Sequence, residues 1–273
     1  MTLDQQVAAH YTRDDLEAAV LGALQAAGKD LDRLTLDHLA PIDEFHVRGR
    51  EATMELGERL GLSSELHVLD VGSGVGGPSR RLADTFGCRI TGIDLTPDFC
   101  RVATMLAARV GLDGKVAYRH GNALAMPFED EGFDAAYTQH VAMNIEDKAG
   151  LYAEVARVLK RGASFGIYDL LQGEGGEPAF PVPWARTPAT SFLVSAEQMR
   201  LLLEDAGFEI VSTRDTTEEG TAWFLGMQRA AAKRFPLGAQ VLLGSDFEAM
   251  VRNQVCNLLE KRIAPKELIC RKR

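Results

Sequence analysis

The feature that most constrains the fold of this chain is an apolar strand that runs directly into a glycine-rich turn and then a helix. Residues 68–83 read VLDVGSGVGGPSRRLA, with four glycines in six positions. Because glycine has no Cβ, such a run lets the backbone turn sharply and lets another group approach it closely. A strand, a glycine turn and a helix in this order are typical of a parallel α/β sheet, in which ligands bind at the carboxyl ends of the strands.

The same turn has the properties of a binding site for a nucleoside cofactor. The helix that follows it offers an N-terminal dipole and free N–H groups. Gly72, Gly74 and Gly77 satisfy the G-x-G-x-x-G pattern of nicotinamide and flavin binders. The next strand, residues 88–94 (CRITGID), ends in Asp94, whose carboxylate suits the two hydroxyls of a ribose. Binding sites for SAM and for nicotinamide or flavin cofactors both carry such an acid. Asp94 therefore indicates a nucleoside without identifying the cofactor.

The choice of cofactor depends on Asp70. It stands two residues before Gly72, where a dinucleotide-binding strand usually carries an apolar side chain. A buried carboxylate there is costly unless it accepts hydrogen bonds from the glycine turn or lies near a cationic ligand group. Together with the extra Gly76 and the segment at residues 120–141, Asp70 favours S-adenosylmethionine (SAM) over NAD.

Three segments then resemble, in order, the motifs of the class I SAM-dependent methyltransferases. LDVGSGVGG is similar to the glycine loop of that family, GIDLTPDF to its ribose-binding strand end, and GNALAMPFEDEGFDAAYTQHV to its adenine loop and fourth strand. The resemblance covers about residues 45–172 and extends to a helix and fifth strand over residues 151–170, with a turn at Arg161–Gly162. It implies a set of cofactor-binding residues: Asp70, Gly72, Ser73, Gly74, Gly76, Asp94, Leu95, Asn122, Ala123 and Gln139.

We expect three regions along the chain: a helical segment over residues 1–64, a SAM-binding α/β core over 65–172, and a third region over 173–273. The third region begins with a loop rich in Gly and Pro, of a length typical of functional lids. After a capped helix and a strand come two helices, over residues 216–235 and 244–263, and a last strand over 266–273. The expected fold is a Rossmann-like, doubly wound, mostly parallel seven-stranded sheet with N-terminal helices and a helical lid between the last two strands.

Two helices are predicted in the N-terminal region from apolar residues at helical spacing. They cover residues 11–28 (YTRDDLEAAVLGALQAAG) and 47–62 (VRGREATMELGERLGL). We expect both to pack near the mouth of the cofactor site.

Composition excludes several classes of partner. The net charge of −9 argues against a protein that binds nucleic acid, because a polyanion normally requires a basic face. No apolar run is long enough to span a bilayer, and the N-terminus has no hydrophobic signal segment, so we expect a cytoplasmic protein without a membrane partner. The four cysteines lack the spacing of a metal site, and no metal is predicted. A homo-oligomer is possible.

His140 is the candidate general base. It follows the predicted fourth strand, in TQHVAMN at residues 138–144, next to the expected position of the transferred methyl group. A base is useful in methyl transfer because the acceptor must lose a proton. The alternative is a histidine that only hydrogen-bonds the backbone or the cofactor. Gln139 and Asn144 are candidates for orienting the cofactor and the acceptor, or for capping the helix that follows.

Further candidates for binding the acceptor come from outside the core. His46 and Arg48 could hold a carboxylate of the acceptor or of SAM, because arginine binds carboxylates with two parallel hydrogen bonds. In the long loop, Trp184 could cover a cationic or aromatic acceptor and Arg186 could pair with an anionic one. The alternative for each is a solvated or packing role.

These observations predict transfer of a methyl group from SAM to a small-molecule acceptor. The C-terminal region resembles, more weakly, that of sarcosine and dimethylglycine N-methyltransferases, so a small amine is the first expectation. The core also resembles ubiquinone- and tocopherol-type C-methyltransferases, which leaves C- or O-methylation of a quinone, phenol or natural product as the alternative. An NAD-dependent oxidoreductase and a non-catalytic SAM-binding regulator are the alternatives from other classes.

Overall fold

A seven-stranded sheet forms the centre of the protein in a computed structural model that describes residues 2–11, 15–230 and 237–273. The strands are β1 (His67–Val71), β2 (Arg89–Asp94), β3 (Val116–His120), β4 (Phe133–Gln139), β5 (Leu159–Gln172), β6 (Phe208–Asp215) and β7 (Ile263–Lys272). Their order across the sheet is β3-β2-β1-β4-β5-β7-β6. Strand β7 runs antiparallel to both neighbours, and the other pairs are parallel. The expected mostly parallel, doubly wound sheet is confirmed.

Eleven α-helices surround the sheet within the described residues: α1 (Leu3–Tyr11), α2 (Leu16–Ala26), α3 (Leu36–Asp43), α4 (Gly49–Arg59), α5 (Gly77–Phe86), α6 (Pro97–Arg109), α7 (Lys148–Val158), α8 (Ala196–Asp205), α9 (Thr217–Ala230), α10 (Gln240–Leu243) and α11 (Phe247–Leu259). Helices α9 to α11 lie between the last two strands in the chain, as the sequence predicts. None of the helices in the described ranges is both long and apolar enough to cross a membrane.

Strands β1 to β3 are added towards one side of the sheet and β4 onwards towards the other, so the strand order reverses between β1 and β4. These two strands are parallel neighbours. Both strands are almost completely buried, as is typical of parallel strands covered by helices on two faces. In open α/β sheets this reversal creates a crevice at the carboxyl ends of the strands. The glycine turn after β1 and His140 after β4 therefore lie at the same edge of the sheet.

The predicted turn at Arg161–Gly162 is wrong as a separate connection. Strand β5 begins at Leu159, directly after α7, and its register with β4 shifts between Phe133 and Ala135. Gly162, at φ +75°, lies in this irregular stretch. The turn is thus a distortion inside a long strand, because β5 continues its pairing on both sides of it.

Two other boundaries differ from the sequence prediction. The last strand begins at Ile263 rather than Lys266, since its first residues pair with the end of β5. The helix expected over 11–28 begins as α2 at Leu16, and its residues 12–14 lie outside the described part of the chain. Residues 231–235 of the helix expected over 216–235 also lie outside it.

The long loop after β5, residues 173–195, is packed against the rest of the protein. Val182, Trp184 and Ala185 in this loop are buried. Helix α11 binds its backbone: the Asn253 side chain donates to the Pro181 carbonyl at 2.9 Å, and Asn257 donates to the Ala179 carbonyl at 3.0 Å. The loop and the inserted helices therefore form one continuous cover over the edge of the sheet.

Candidate active site

A cavity of about 440 Å³ opens at the carboxyl ends of the central strands. Its floor is formed by the turns that follow β1, β2, β3 and β4, and its cover by α1, the long loop and α11. The polar residues that line it are Asp4, Tyr11, Asp43, His46, Ser73, Asp94, Thr96, Asn122, Gln139, His140, Asn144, Glu146, Asp147 and Gln254. Most of the remaining lining is apolar, so the cavity suits a ligand with an extensive carbon framework.

The glycine turn and Asp94 hold each other in place on the cavity floor. The Gly72 and Ser73 N–H groups donate to the Ile93 carbonyl at 2.8 and 3.0 Å. One Asp94 carboxylate oxygen accepts the Gly74 N–H at 2.8 Å, and the other accepts the Thr96 N–H at 2.8 Å. Burial is the largest influence on Asp94 and raises its pKa, while these hydrogen bonds favour the ionised form. The turn is thus pre-organised before any ligand binds.

Two details of the turn fit a bound nucleoside cofactor. A Cβ added to Gly74, which lines the cavity at φ +53°, would meet no atom within 4 Å. The Ser73 hydroxyl is buried and has no hydrogen-bond partner within the described structure. Buried polar groups normally have a partner, so the open space and the unpaired hydroxyl indicate that a polar ligand completes this wall.

The structure places Asp70 and Gly76 away from the cavity wall, contrary to their expected direct contact with the cofactor. Asp70 points towards α5, where its carboxylate accepts the Ser79 hydroxyl at 2.5 Å. Burial raises the pKa of Asp70 to about 7. Gly76, at φ +80°, packs against Tyr118, whose hydroxyl donates to the Gly76 carbonyl at 3.1 Å. Both residues therefore support the glycine turn on the side that faces away from the cavity.

The expected adenine-binding segment lines the cavity together with Leu95, but its key amide is already used. The Asn122 carbonyl oxygen accepts the Leu124 N–H at 2.8 Å, and its amide nitrogen donates to Asp4 of α1 at 2.8 Å. Asn122 thus holds α1 over the site. Ala123 and the neighbouring backbone remain available to contact an adenine ring. Asp4 could not be found from the sequence, because no motif marks it.

Asn144 joins three parts of the cavity wall. Its carbonyl oxygen accepts the Tyr11 hydroxyl of α1 at 3.1 Å, and its amide nitrogen donates to the Trp184 and Thr190 carbonyls at 2.7 and 2.9 Å. Trp184 is almost completely buried and donates its indole N–H to Ser191 at 3.0 Å. The helix after β4 is capped by Asp147 instead. Asn144 therefore holds the cover together, and Trp184 presents an apolar wall.

His140 follows the last residue of β4, lines the cavity and has a strained backbone conformation. Its φ of +55° belongs to the left-handed region, which is uncommon outside glycine. The ring packs against those of Tyr168 and His46, with centroids 5.3 and 5.9 Å away. Its Nε2 is buried without a hydrogen-bond partner in the described structure. Burial, assisted by His46, lowers its pKa well below the usual value, so the imidazole is neutral at neutral pH.

His46 and Gln139 line the cavity but bind each other and their own surroundings. The His46 Nε2 lies 2.9 Å from the Gly49 carbonyl, 3.2 Å from the Thr53 hydroxyl and 3.4 Å from the Gln139 amide nitrogen. Burial lowers the pKa of His46 to about 4. A neutral histidine offers no positive charge, so the expected binding of a carboxylate by His46 has no electrostatic basis.

The two arginines expected to bind an acceptor carboxylate lie outside the cavity. Arg48 makes two hydrogen bonds to Glu55, at 2.9 and 2.6 Å, and also approaches Glu219. Arg186 is half exposed and paired with Asp246. Because both guanidinium groups are engaged by carboxylates of the fold, they are not available to the acceptor, and these two assignments are corrected.

Within the described residues, neither lysine nor arginine lines the cavity. Nor does this part of the chain bring together three His, Cys, Asp or Glu side chains that could hold a metal ion. A phosphate or carboxylate on the acceptor would thus lack a cationic partner. Tyr11 and Gln254, which do line the cavity, were missed because neither lies in a recognisable motif.

Residues 69–167 match the family model described as a methyltransferase domain. The chain therefore contains a methyltransferase domain. The match includes the glycine turn, Asp94, the adenine-side segment and His140, which are the parts of the chain that form the cavity floor.

The similar proteins act on different substrates. An O-methyltransferase, resE, from Aspergillus sclerotiorum is 30% identical over 63% of this chain and 66% of its own length. The [4+2]-cyclase SpnF shares the fold with a TM-score of 0.72 and 25% identity, over 98% of this chain and 96% of that one. The geranyl diphosphate C-methyltransferase of Streptomyces coelicolor has a TM-score of 0.73 and 17% identity, over 100% and 99% of the two chains.

The chain matches between 30% and 66% of the length of eight curated relatives. The regions outside the family match, which include α1, the long loop and α11, form the cover of the cavity. The family match therefore describes the floor of the site, and the segments that cover the cavity lie outside it.

Proposed function

We propose that this protein transfers the methyl group of SAM to a hydroxyl oxygen of a neutral small molecule with a largely apolar framework. The observation that carries the proposal is a neutral, strained histidine, His140, in a cavity that no lysine or arginine of the described chain enters. Such a cavity gives an anionic acceptor no cationic partner, and a neutral imidazole can accept the proton of a hydroxyl.

The residues on the cavity floor would hold the cofactor. Asp94 retains free acceptor capacity for ribose hydroxyls, and Gly74 and the Ser73 hydroxyl offer an open approach and an unpaired polar group. Leu95 and Ala123 provide apolar contacts for the adenine. When bound, SAM supplies a methyl group that is already activated by its positively charged sulfur, so the protein chiefly has to position the two reactants and exclude water.

His140 would take the proton of the acceptor hydroxyl. As the new C–O bond forms, the S–C bond breaks and its electron pair stays on sulfur, which yields S-adenosylhomocysteine and the methyl ether. His140 is suited to this role because its Nε2 has no competing partner within the described structure, and its depressed pKa keeps it unprotonated. The Asp169 carboxylate supports the arrangement: it accepts the Ala142 N–H at 2.8 Å and so fixes the turn that follows His140.

N-methylation of a small amine is the second candidate. It is favoured by the carboxylates of Asp4, Glu146 and Asp147, which line the cavity and would attract a cationic amine. The corrected positions of Arg48 and Arg186 weigh against an amine that also carries a carboxylate or phosphate. An uncharged hydroxyl acceptor needs no cationic partner in the cavity.

The test is transfer of label from methyl-labelled SAM to matched phenols, quinols, neutral natural-product alcohols, amines, and amines bearing a carboxylate or phosphate. Label in a neutral hydroxyl compound, with equimolar S-adenosylhomocysteine, supports the proposal. Label only in amines would move the function to N-methylation, and label on carbon to C-methylation. Because the [4+2]-cyclase has the same fold, each acceptor should also be analysed for unlabelled products; cyclisation or tight SAM binding without label transfer would contradict methyl transfer.

A further inference from the structure

Helix α11 carries three side-chain amides towards the cover of the cavity, and two of them have structural partners. Asn253 donates to the Pro181 carbonyl at 2.9 Å. Asn257 accepts the Ala179 N–H at 2.8 Å and donates to its carbonyl at 3.0 Å. These two amides replace backbone partners that the long loop lacks. The third amide, Gln254, does not follow this pattern.

Gln254 is buried at 3% exposure and lines the cavity. Its side chain makes no hydrogen bond with any residue that the structure describes. Neither amide atom is among the fully buried side-chain atoms without a partner, so the amide reaches the open space of the cavity. The partner that Gln254 lacks in the protein can be supplied by a molecule in the cavity.

The surroundings of Gln254 define the chemistry of that molecule. Trp184 and Pro183 line the same cavity as Gln254, and the described lining contributes no lysine or arginine. An amide offers one acceptor oxygen and two donor hydrogens but no charge. Such a group selects a neutral carbonyl or hydroxyl, because a site built to hydrogen-bond a polar group rejects analogues that lack it.

The position of Gln254 separates it from the reacting group. It comes from the inserted helix α11, whereas the glycine turn, Asp94 and His140 come from the carboxyl ends of the strands. We propose that Gln254 is a specificity-determining residue, whose amide binds a second neutral polar group, a carbonyl or hydroxyl, on the acceptor. This inference rests on the proposed function, because it concerns a second polar group of the acceptor whose reacting hydroxyl binds at His140.

Leucine in place of Gln254 separates a ligand-binding role from a structural one. Since the amide has no partner in the described fold, Gln254→Leu should keep or raise the melting temperature and leave SAM affinity unchanged. A structural glutamine would lose stability on the same change. The matched control is Gln25→Leu, the same substitution at an exposed position of α2. Gln254→Asn, which keeps the amide but shortens its reach, should fold like the wild type and bind the acceptor with intermediate affinity.

The acceptor probes are 6-acetyl-2-naphthol and 6-isopropenyl-2-naphthol, which have nearly the same shape but carry a carbonyl oxygen and a CH₂ group, respectively. Their dissociation constants are measured by calorimetry with S-adenosylhomocysteine present, and methyl transfer is measured separately with labelled SAM. We expect the wild type to prefer the acetyl compound, and Gln254→Leu to reduce that preference about tenfold, as for one lost hydrogen bond.

An unchanged preference in Gln254→Leu, or no preference in the wild type, would overturn the assignment of Gln254. A preference that depends on Gln254 without any label transfer would support the binding role and contradict methyl transfer. A fall in melting temperature for Gln254→Leu, absent in Gln25→Leu, would show that the amide is structural and would also overturn the inference.

Discussion

The Asp94 carboxylate accepts the Gly74 N–H at 2.8 Å, so the acid that is suited to ribose hydroxyls also fixes the glycine turn. Its second oxygen accepts the Thr96 N–H, also at 2.8 Å, at the start of α6. These contacts hold the carboxylate still without using all its lone pairs. A ligand that binds Asp94 therefore meets a site whose two walls are already aligned.

Replacing Asp94 by alanine should weaken SAM binding by at least about tenfold, because the ribose contact and the support of the turn are lost together. Asp94→Asn should lose less, since its carbonyl oxygen can still accept one N–H. Isothermal titration with SAM measures both variants. Asp113→Ala, at an exposed position, is the matched control. Wild-type affinity in Asp94→Ala would contradict the assignment.

Valine at Gly74 should abolish measurable SAM binding. The position has φ +53° and faces the cavity, so a β-branched side chain would be strained and would occupy ligand space. Gly111→Val separates these two effects, because Gly111 also has positive φ, at +71°, with nothing within 4 Å of an added Cβ, but does not line the cavity. Both variants should lose similar stability by thermal melting, whereas only Gly74→Val should lose SAM. Equal SAM affinity in the two variants would show that Gly74 does not face the cofactor.

Glutamine at His140 should lower kcat about 10²- to 10⁴-fold, as expected for the loss of a general base, with little change in SAM affinity. The control is His67→Gln, at the start of β1 and therefore at the opposite edge of the sheet. Because burial lowers the pKa of His140, wild-type kcat/KM should stay level as the pH falls through about 6.5, the ordinary histidine value. Loss of activity with an apparent pKa at or above that value, or an active His140→Gln variant, would rule out the neutral base.

The sheet and the cavity floor could be predicted from sequence because their signals are local. The glycine turn and His140 follow buried strands, Asp94 ends a third strand, and parallel topology brings these strand ends to one edge. Arg48 and Arg186 were misplaced because the sequence shows a guanidinium but not its nearest carboxylate. Gln254 was missed for the same reason: nothing in the sequence of α11 distinguishes an amide that holds a loop from one that faces a cavity.

Asn144 shows how a correct location can accompany an incomplete role. Its position after β4 predicts that it lies at the cavity, and the structure places it there. Its partners, Tyr11, Trp184 and Thr190, are between 40 and 133 residues away in the chain. Such long-range contacts depend on how the N-terminal helix and the long loop fold over the sheet, which no local pattern encodes.

Replacing Asp70 by asparagine should remove a pH-dependent loss of stability. Burial raises the pKa of Asp70 from 3.8 to about 7, so between these values the folded state keeps a proton that the unfolded chain has released. The contribution of Asp70 is therefore most favourable below pH 3.8, declines as the pH rises towards 7, and is constant above it. Since each pKa unit corresponds to about 1.4 kcal/mol, the decline amounts to about 1–4 kcal/mol.

The asparagine side chain would stay neutral, and its carbonyl oxygen could still accept the Ser79 hydroxyl that Asp70 accepts now. Asp70→Asn should thus be more stable than the wild type at pH 8 and similar to it at pH 4, as measured by urea unfolding across that range. Glu44 and Asp169, whose pKa values burial raises to about 7 and about 6, titrate in the same window. They are present in both proteins, so the difference between the two curves isolates Asp70. A difference that does not change with pH would mean that Asp70 is ionised in the fold throughout, and that the turn stabilises its charge.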